Sequence, residues 1–242
     1  MSQGQQPRHA ARVILIRAAE SNGFEVLLTR RPDEMSFLGI YGFPGGALRK
    51  EDCSTSMLRR CHGLAAHSAR KIVGAHFNPQ QALGFWAAGI RALFEEVGIL
   101  FAVSEAERLL PTKLDRLEEH AGLLASGVSF QYWLESEGLL WDASRLVYFS
   151  HWQTPVETSP RIDTRFFLAF SPQDQSRLHA SSEVAHSVWL TPDRALELFG
   201  KDQLPMMFPT FTSLRTLADF DSLESVSREY GLSMTKDLNK DI

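Results

Sequence analysis

A single mixed α/β domain is the fold class that this chain predicts, and three observations carry it. Short runs rich in β-branched and aromatic residues recur at Arg12–Arg17 (RVILIR), Phe24–Thr29 (FEVLLT), Leu146–His151 (LVYFSH) and Ile162–Phe170 (IDTRFFLAF), arranged as hairpin-like pairs. Helical patterning separates them, above all over Gly84–Ile99 (GFWAAGIRALFEEVGI). The chain has 242 residues, 44% of them hydrophobic, enough for strands and helices to layer around one good-sized core.

Residues 1–10 are polar and are expected to be flexible. RVILIR and FEVLLT then read as two strands joined by the turn-forming Glu20-Ser21-Asn22-Gly23. Arg30–Gly39 contains Pro32 and Gly39 and reads as a loop, which runs into the turn Phe43-Pro44-Gly45-Gly46. The stretch 52–83 starts with a helical-looking piece over Ser54–Leu64 but lacks a strong apolar pattern. It would cap a ligand site, form part of a dimer surface or be a mobile excursion.

After the helix of Gly84–Ile99 come a brief apolar run to Val103 and charged helical pieces over 104–110 and 112–125. An amphipathic piece, Ser129–Glu137, is stopped by Gly138. Two strands follow, separated by a loop with Pro155 and Pro160. Around Trp189 a strand leads to Thr191 as helix cap and Pro192 as first helical residue. Pro205–Phe220 is an apolar loop and closing helix, and a polar helix and tail follow Ser222. The domain is thus expected over 11–222, with a C-terminal helix and tail at 223–242.

A net charge of −4 and a pI near 6.1 give no general electrostatic reason to bind nucleic acid; Arg30-Arg31 and the run from Arg59 to Lys71 are local basic patches only. Cys53 and Cys61 match neither a metal knuckle nor a redox Cys-x-x-Cys, and His62, His67 and His76 lack ligand spacing. The N-terminus MSQGQQPRHAAR has no apolar core of a signal peptide, and no apolar run approaches membrane-spanning length. A cytoplasmic protein without membrane or nucleic-acid partners is expected.

The chemistry concentrates in Gly84–Ile99. At helical spacing Ala88, Arg91, Glu95 and Gly98 share one stripe. Glu95 and Glu96 are adjacent carboxylates, poor for stability because like charges repel, but suited to a hard divalent cation that takes oxygen ligands. The glycine pair Gly45-Gly46 lets the backbone approach a phosphate or offer a carbonyl to a metal, because no Cβ intervenes. Arg30 and Arg31 can hold a phosphate through paired hydrogen bonds, or they are simply strand-end arginines in water.

Together, Gly45, Glu51, Arg91, Leu93, Glu95, Glu96, Gly98 and Ile99 resemble the Nudix box, Gly-x5-Glu-x7-Arg-Glu-U-x-Glu-Glu-x-Gly-U with U aliphatic. Two departures stand out. The x7 segment is replaced by the far longer stretch Asp52–Ile90, and Ala92 stands where the box has Glu. The long insert is similar to the branch of peroxisomal coenzyme A diphosphatases with an interrupted box. The stretches LLTRRP, MSFLG and FPGG, and later HWQTP and PRIDTRFFLAF, also resemble that branch.

The resemblance implies an α/β/α sandwich with a curved mixed sheet, an insertion inside the box and extra C-terminal helices. It implies Mg²⁺ or Mn²⁺ held by Glu95, Glu96 and Glu51 with a carbonyl of Gly45 or Gly46, and Arg91 orienting the carboxylates. Glu183, from a loop outside the box, would compensate for Ala92. The implied substrate is a nucleoside diphosphate linked to another group, foremost coenzyme A or an acyl-coenzyme A. ADP-ribose, a dinucleotide or a nucleotide sugar is the alternative substrate, and a non-hydrolysing nucleotide sensor is the alternative function. A homodimer is a further expectation.

Overall fold

A computed structural model of the chain describes residues 6–20, 23–30, 39–105, 127–173, 175 and 184–232. The elements run in the order β1 (Arg8–Ala18), β2 (Phe24–Arg30), β3 (Tyr41–Gly42), β4 (Gly45–Ala47), α1 (Thr55–Arg59), β5 (Cys61–His62), α2 (Ala66–Val73) and α3 (Pro79–Val97). There follow β6 (Ala102–Ser104), α4 (Phe130–Ser136), β7 (Leu139–Asp142), β8 (Val147–Gln153), β9 (Ile162–Phe170) and β10 (His186–Leu190). Three helices end the described chain: α5 (Pro192–Gly200), α6 (Phe208–Leu217) and α7 (Leu223–Tyr230).

The larger sheet has the order β10-β2-β1-β9-β8, with β3 added on β2 and β4 on β1. β1 runs parallel to β9 while its pairings with β2 and β4 are antiparallel, so the sheet is mixed. Both faces of its centre are buried. Ala11, Val13, Leu15, Phe167 and Ala169 face the layer of α3, and Ile14, Ile16, Phe166 and Leu168 face the layer of α5, α6 and α7. A strand covered on both faces reads as a continuous apolar run rather than an alternation, which is why RVILIR looks as it does. The result is the expected α/β/α sandwich.

α3 is buried almost all round, because its second side is covered in turn by α1, α2, α4 and the small sheet β5-β7-β6. It begins earlier than Gly84. The Asn78 side chain accepts the Gln81 N–H at 2.8 Å and Pro79 fills the first turn, a start signal that the sequence carried. It ends where Gly98, at φ 74°, donates its N–H to Phe94 O at 2.9 Å.

Several expectations shift. β1 starts at Arg8, so residues 8–10 are not a flexible extension: Arg8 and His9 pair with Ile162 and Asp163 of β9. The insert is part of the core, with Met57, Ala69, Val73 and Phe77 buried. Of the helix read over Ser54–Leu64, Thr55–Arg59 is helical, and Cys61–His62 instead pairs with Trp141–Asp142. Ser104 closes a strand that pairs with β7, and the Glu105 N–H donates to Gly138 O; the rest of the charged helical pieces, 106–110 and 112–125, lies outside the described residues. α7 is no appendage: its Val226 is fully buried and Tyr230 packs on Phe149 and Phe220. Among the described residues no helix is long and apolar enough to cross a membrane.

Candidate active site

The site is assembled where β4 lies against the C-terminal half of α3. β4 pairs with β1 in the register Gly45↔Arg12 and Gly46↔Ala11. That pairing is close: a Cβ on Gly45 would stand 2.3 Å from Ala11 O and 2.6 Å from Arg12 Cα, so only glycine fits. Gly46 faces α3 instead, and a Cβ there would come within 3.2 Å of the Ala92 Cβ.

The helical stripe then delivers its charges. Glu96, 3% exposed, accepts the Gly45 N–H on Oε2 at 3.0 Å. Arg91, also 3% exposed, donates from Nη1 to Glu95 Oε2 at 2.7 Å, the one-turn pairing expected from the spacing. Its other nitrogens are equally committed: Nε donates to Asp52 Oδ1 at 2.8 Å, and Nη2 to Asp52 Oδ2 at 3.0 Å and Ala47 O at 2.9 Å. Burial would lower the pKa of this guanidinium, but the Asp52 and Glu95 carboxylates outweigh it and hold the pKa above its ordinary value.

Asp52 and Arg49 were not singled out by spacing, and both belong to the site. Asp52 is 1% exposed and also accepts the Arg49 N–H at 2.8 Å. The Arg49 guanidinium caps Glu95 from the solvent side as a fork, Nη1 to Oε1 at 2.8 Å and Nη2 to Oε2 at 3.0 Å. Glu51, the carboxylate expected at the box position, is exposed on the same helical turn, Glu51–Cys53. Gly46-x5-Asp52 has the same spacing as Gly45-x5-Glu51, so the doubled glycine and doubled carboxylate leave the register open in the sequence. Burial against Arg91 favours Asp52.

The structure therefore brings Arg91, Glu95, Glu96, Gly45 and Gly46 together. Arg30 ends β2, paired with Tyr41, with its Nε buried and without a hydrogen-bond partner. Arg31 and Glu183 lie outside the described residues. Among the described residues no group of three His, Cys, Asp or Glu side chains could hold a metal ion. Ala92, which stands where the box has Glu, is 2% exposed and lies against Gly46. The donors present are nonetheless all hard oxygens, two carboxylates and the backbone carbonyls of the glycine pair, which fit Mg²⁺ or Mn²⁺ in kind.

The turn expected at Gly45-Gly46 is instead the start of strand β4; an α/β/α sandwich with this Gly-Gly strand bound to a paired-glutamate helix fits a Nudix hydrolase, a pyrophosphohydrolase by class. Its particular family is that of the NUDT19 Nudix domain, whose model matches residues 7–217, and the chain belongs to it. The acyl-coenzyme A diphosphatase NUDT19 of Gallus gallus is 26% identical over 268 residues, covering 91% of this chain and 70% of that protein. The crystal structure of a Nudix hydrolase from Alicyclobacillus acidocaldarius superposes with a TM-score of 0.76 at 28% identity, covering 95% of this chain and 99% of that one.

Proposed function

We propose that the chain hydrolyses the diphosphate of coenzyme A or an acyl-coenzyme A with the help of Mg²⁺ or Mn²⁺. The observation that carries this reading is the contact of Asp52 with Arg91. Residues from the two sides of the interrupted box meet in a buried ion pair, Nε to Oδ1 at 2.8 Å, so the box is rebuilt in space despite the insert. The choice of coenzyme A is supported by the name of the chicken relative, an acyl-coenzyme A diphosphatase.

A bound divalent ion would supply charge neutralisation of the pyrophosphate oxygens and a more acidic water. The residues of the chain do the placing. Glu95 and Glu96 would hold the ion, with a carbonyl of Gly45 or Gly46. Arg91 acts on Glu95 rather than on substrate, because every nitrogen of its guanidinium is already bonded within the protein. The Gly45 N–H fixes the Glu96 carboxylate in its buried position. Glu183, three residues before β10 begins at His186, would supply the carboxylate that orients the attacking water in place of Ala92.

Incubation of the full chain with coenzyme A, ADP-ribose and NADH, each with Mg²⁺ or Mn²⁺, tests the reading by mass analysis of products. The expected result is release of 4′-phosphopantetheine and adenosine 3′,5′-bisphosphate from coenzyme A. Exclusive turnover of ADP-ribose or NADH would overturn the substrate. Binding of all three without turnover would replace hydrolysis by nucleotide sensing.

A further inference from the structure

Two arginines meet Glu95, and they hold it in different ways. Arg91 is bonded on every side: its side chain is 4% exposed and its nitrogens are shared among Asp52, Ala47 O and Glu95. Arg49 has a side chain 50% exposed and bonds Glu95 through one planar fork that covers both carboxylate oxygens, at 2.8 and 3.0 Å. A divalent cation that uses Glu95 must therefore reach an oxygen already occupied by Arg49.

We propose that Arg49 is a counter-ion that the entering cation displaces from Glu95, and that the displaced guanidinium then binds a phosphate of the nucleoside diphosphate. The inference rests on the metal-dependent reading of the site given above. Water competes for the half-exposed Arg49 side chain, and a doubly charged ion at short range outbids a single guanidinium for Glu95. The Arg49 backbone stays in place when its side chain leaves, since its N–H is held by the buried Asp52 at 2.8 Å. The side chain thus stays tethered beside Glu95. A planar guanidinium pairs with phosphate oxygens in the same two-pronged manner as with a carboxylate. One residue thereby keeps Glu95 neutralised in the empty site and neutralises substrate in the loaded one.

The test uses the full chain and two binding measurements on the wild type, Arg49→Ala, Arg49→Lys and Glu96→Gln, with thermal melts as a check of folding. Mn²⁺ is titrated without nucleotide by electron paramagnetic resonance. α,β-Methylene-ADP, which cannot be cleaved at its methylene bridge, is then titrated calorimetrically at saturating Mg²⁺. Arg49→Ala is expected to bind Mn²⁺ roughly two- to fivefold more tightly, the competing ion pair being gone. It should bind the analogue about tenfold more weakly, for loss of a charged hydrogen-bond donor. Arg49→Lys, which keeps the charge without the fork, should fall between on both. Unchanged or weaker Mn²⁺ binding by Arg49→Ala, with Glu96→Gln impaired, overturns the displacement alone. Unchanged analogue binding overturns the phosphate contact. A wild type that binds no Mn²⁺ overturns the underlying metal reading together with the proposal.

Discussion

Replacing Asp52 by Asn should destabilise the protein markedly, whereas replacing its neighbour Glu51 by Gln should not. Asp52 is 1% exposed and accepts three hydrogen bonds, two from Arg91 and one from the Arg49 N–H. The amide keeps the shape but turns one of its two acceptors into a donor facing a donor. Breaking a buried ion pair from one side costs about 3 to 5 kcal/mol, because the other charge is stranded. Here Glu95 still compensates Arg91 at 2.7 Å, which places the loss at the lower end, about 3 kcal/mol. For a chain of this length each kcal/mol moves the melting temperature by about 2 to 4 °C, so Asp52→Asn should melt about 6 to 12 °C below wild type. Glu51 is exposed, and its substitution should stay within about 0.5 kcal/mol. Differential scanning fluorimetry of the two variants without metal decides the matter. A large drop for Glu51→Gln and none for Asp52→Asn would refute the Gly46–Asp52 register and the packing of the site.

Two further outcomes follow from buried charges. Asp163 is buried, yet its carboxyl is held well below the usual range: burial would raise its pKa, and His9, Arg165 and His151 outweigh that. A carboxyl lowered in the folded state adds stability above its unfolded pKa, here 3.8, and loses it as the pH falls below that value. Melting temperatures between pH 7 and 3 should therefore fall steeply only at the acid end, and Asp163→Asn should flatten that fall while lowering the plateau; an equally steep acid limb in the variant would exclude Asp163 as its source. Ala92→Glu restores the missing box carboxylate at a position 2% exposed, beside Glu96. It should melt lower than wild type without metal, recover with Mn²⁺ and hydrolyse faster by up to about a hundredfold; unchanged turnover would show that another residue already fills the role.

What the sequence conveyed and what it withheld divide along the range of the interactions involved. The strands β1, β2 and β9 and the Thr191-Pro192 helix start were readable, because side-chain period and cap chemistry are set within a few residues. The insert was not. Its strand β5 exists only through pairing with Trp141–Asp142, far along the chain, and its buried residues, Met57, Ala69, Val73 and Phe77, are too sparse to form a face on their own. Arg91, Glu95 and Glu96 were readable from one helix. Asp52 and Arg49 were not, because Glu51 and Asp52 are equivalent by spacing, and burial alone separates them.

The same geometry accounts for a box that can be interrupted at this place. What the site needs from the first half is a carboxylate against Arg91, and that carboxylate is fixed locally. Asp52 sits in a short helical turn, bonded to the Arg49 N–H, and that turn docks on α3 at Gly84, where a Cβ would come within 2.6 Å of Cys53 Sγ. Everything between Cys53 and Gly84 is then a closed excursion whose two ends are already together. Lengthening a closed loop severalfold costs only about 1 to 2 kcal/mol of chain entropy. Burying Met57, Val73 and Phe77 in the core around α3 offsets that cost, at about 1.5 to 3 kcal/mol for each large apolar side chain. Arg70 closes the last turn by donating to Ala75 O and Phe77 O at 2.7 and 2.8 Å. An insert that carries its own packing leaves the register of Asp52 and Arg91 untouched, so the chemistry on the inner side of α3 is insulated from the length of chain on the outer side.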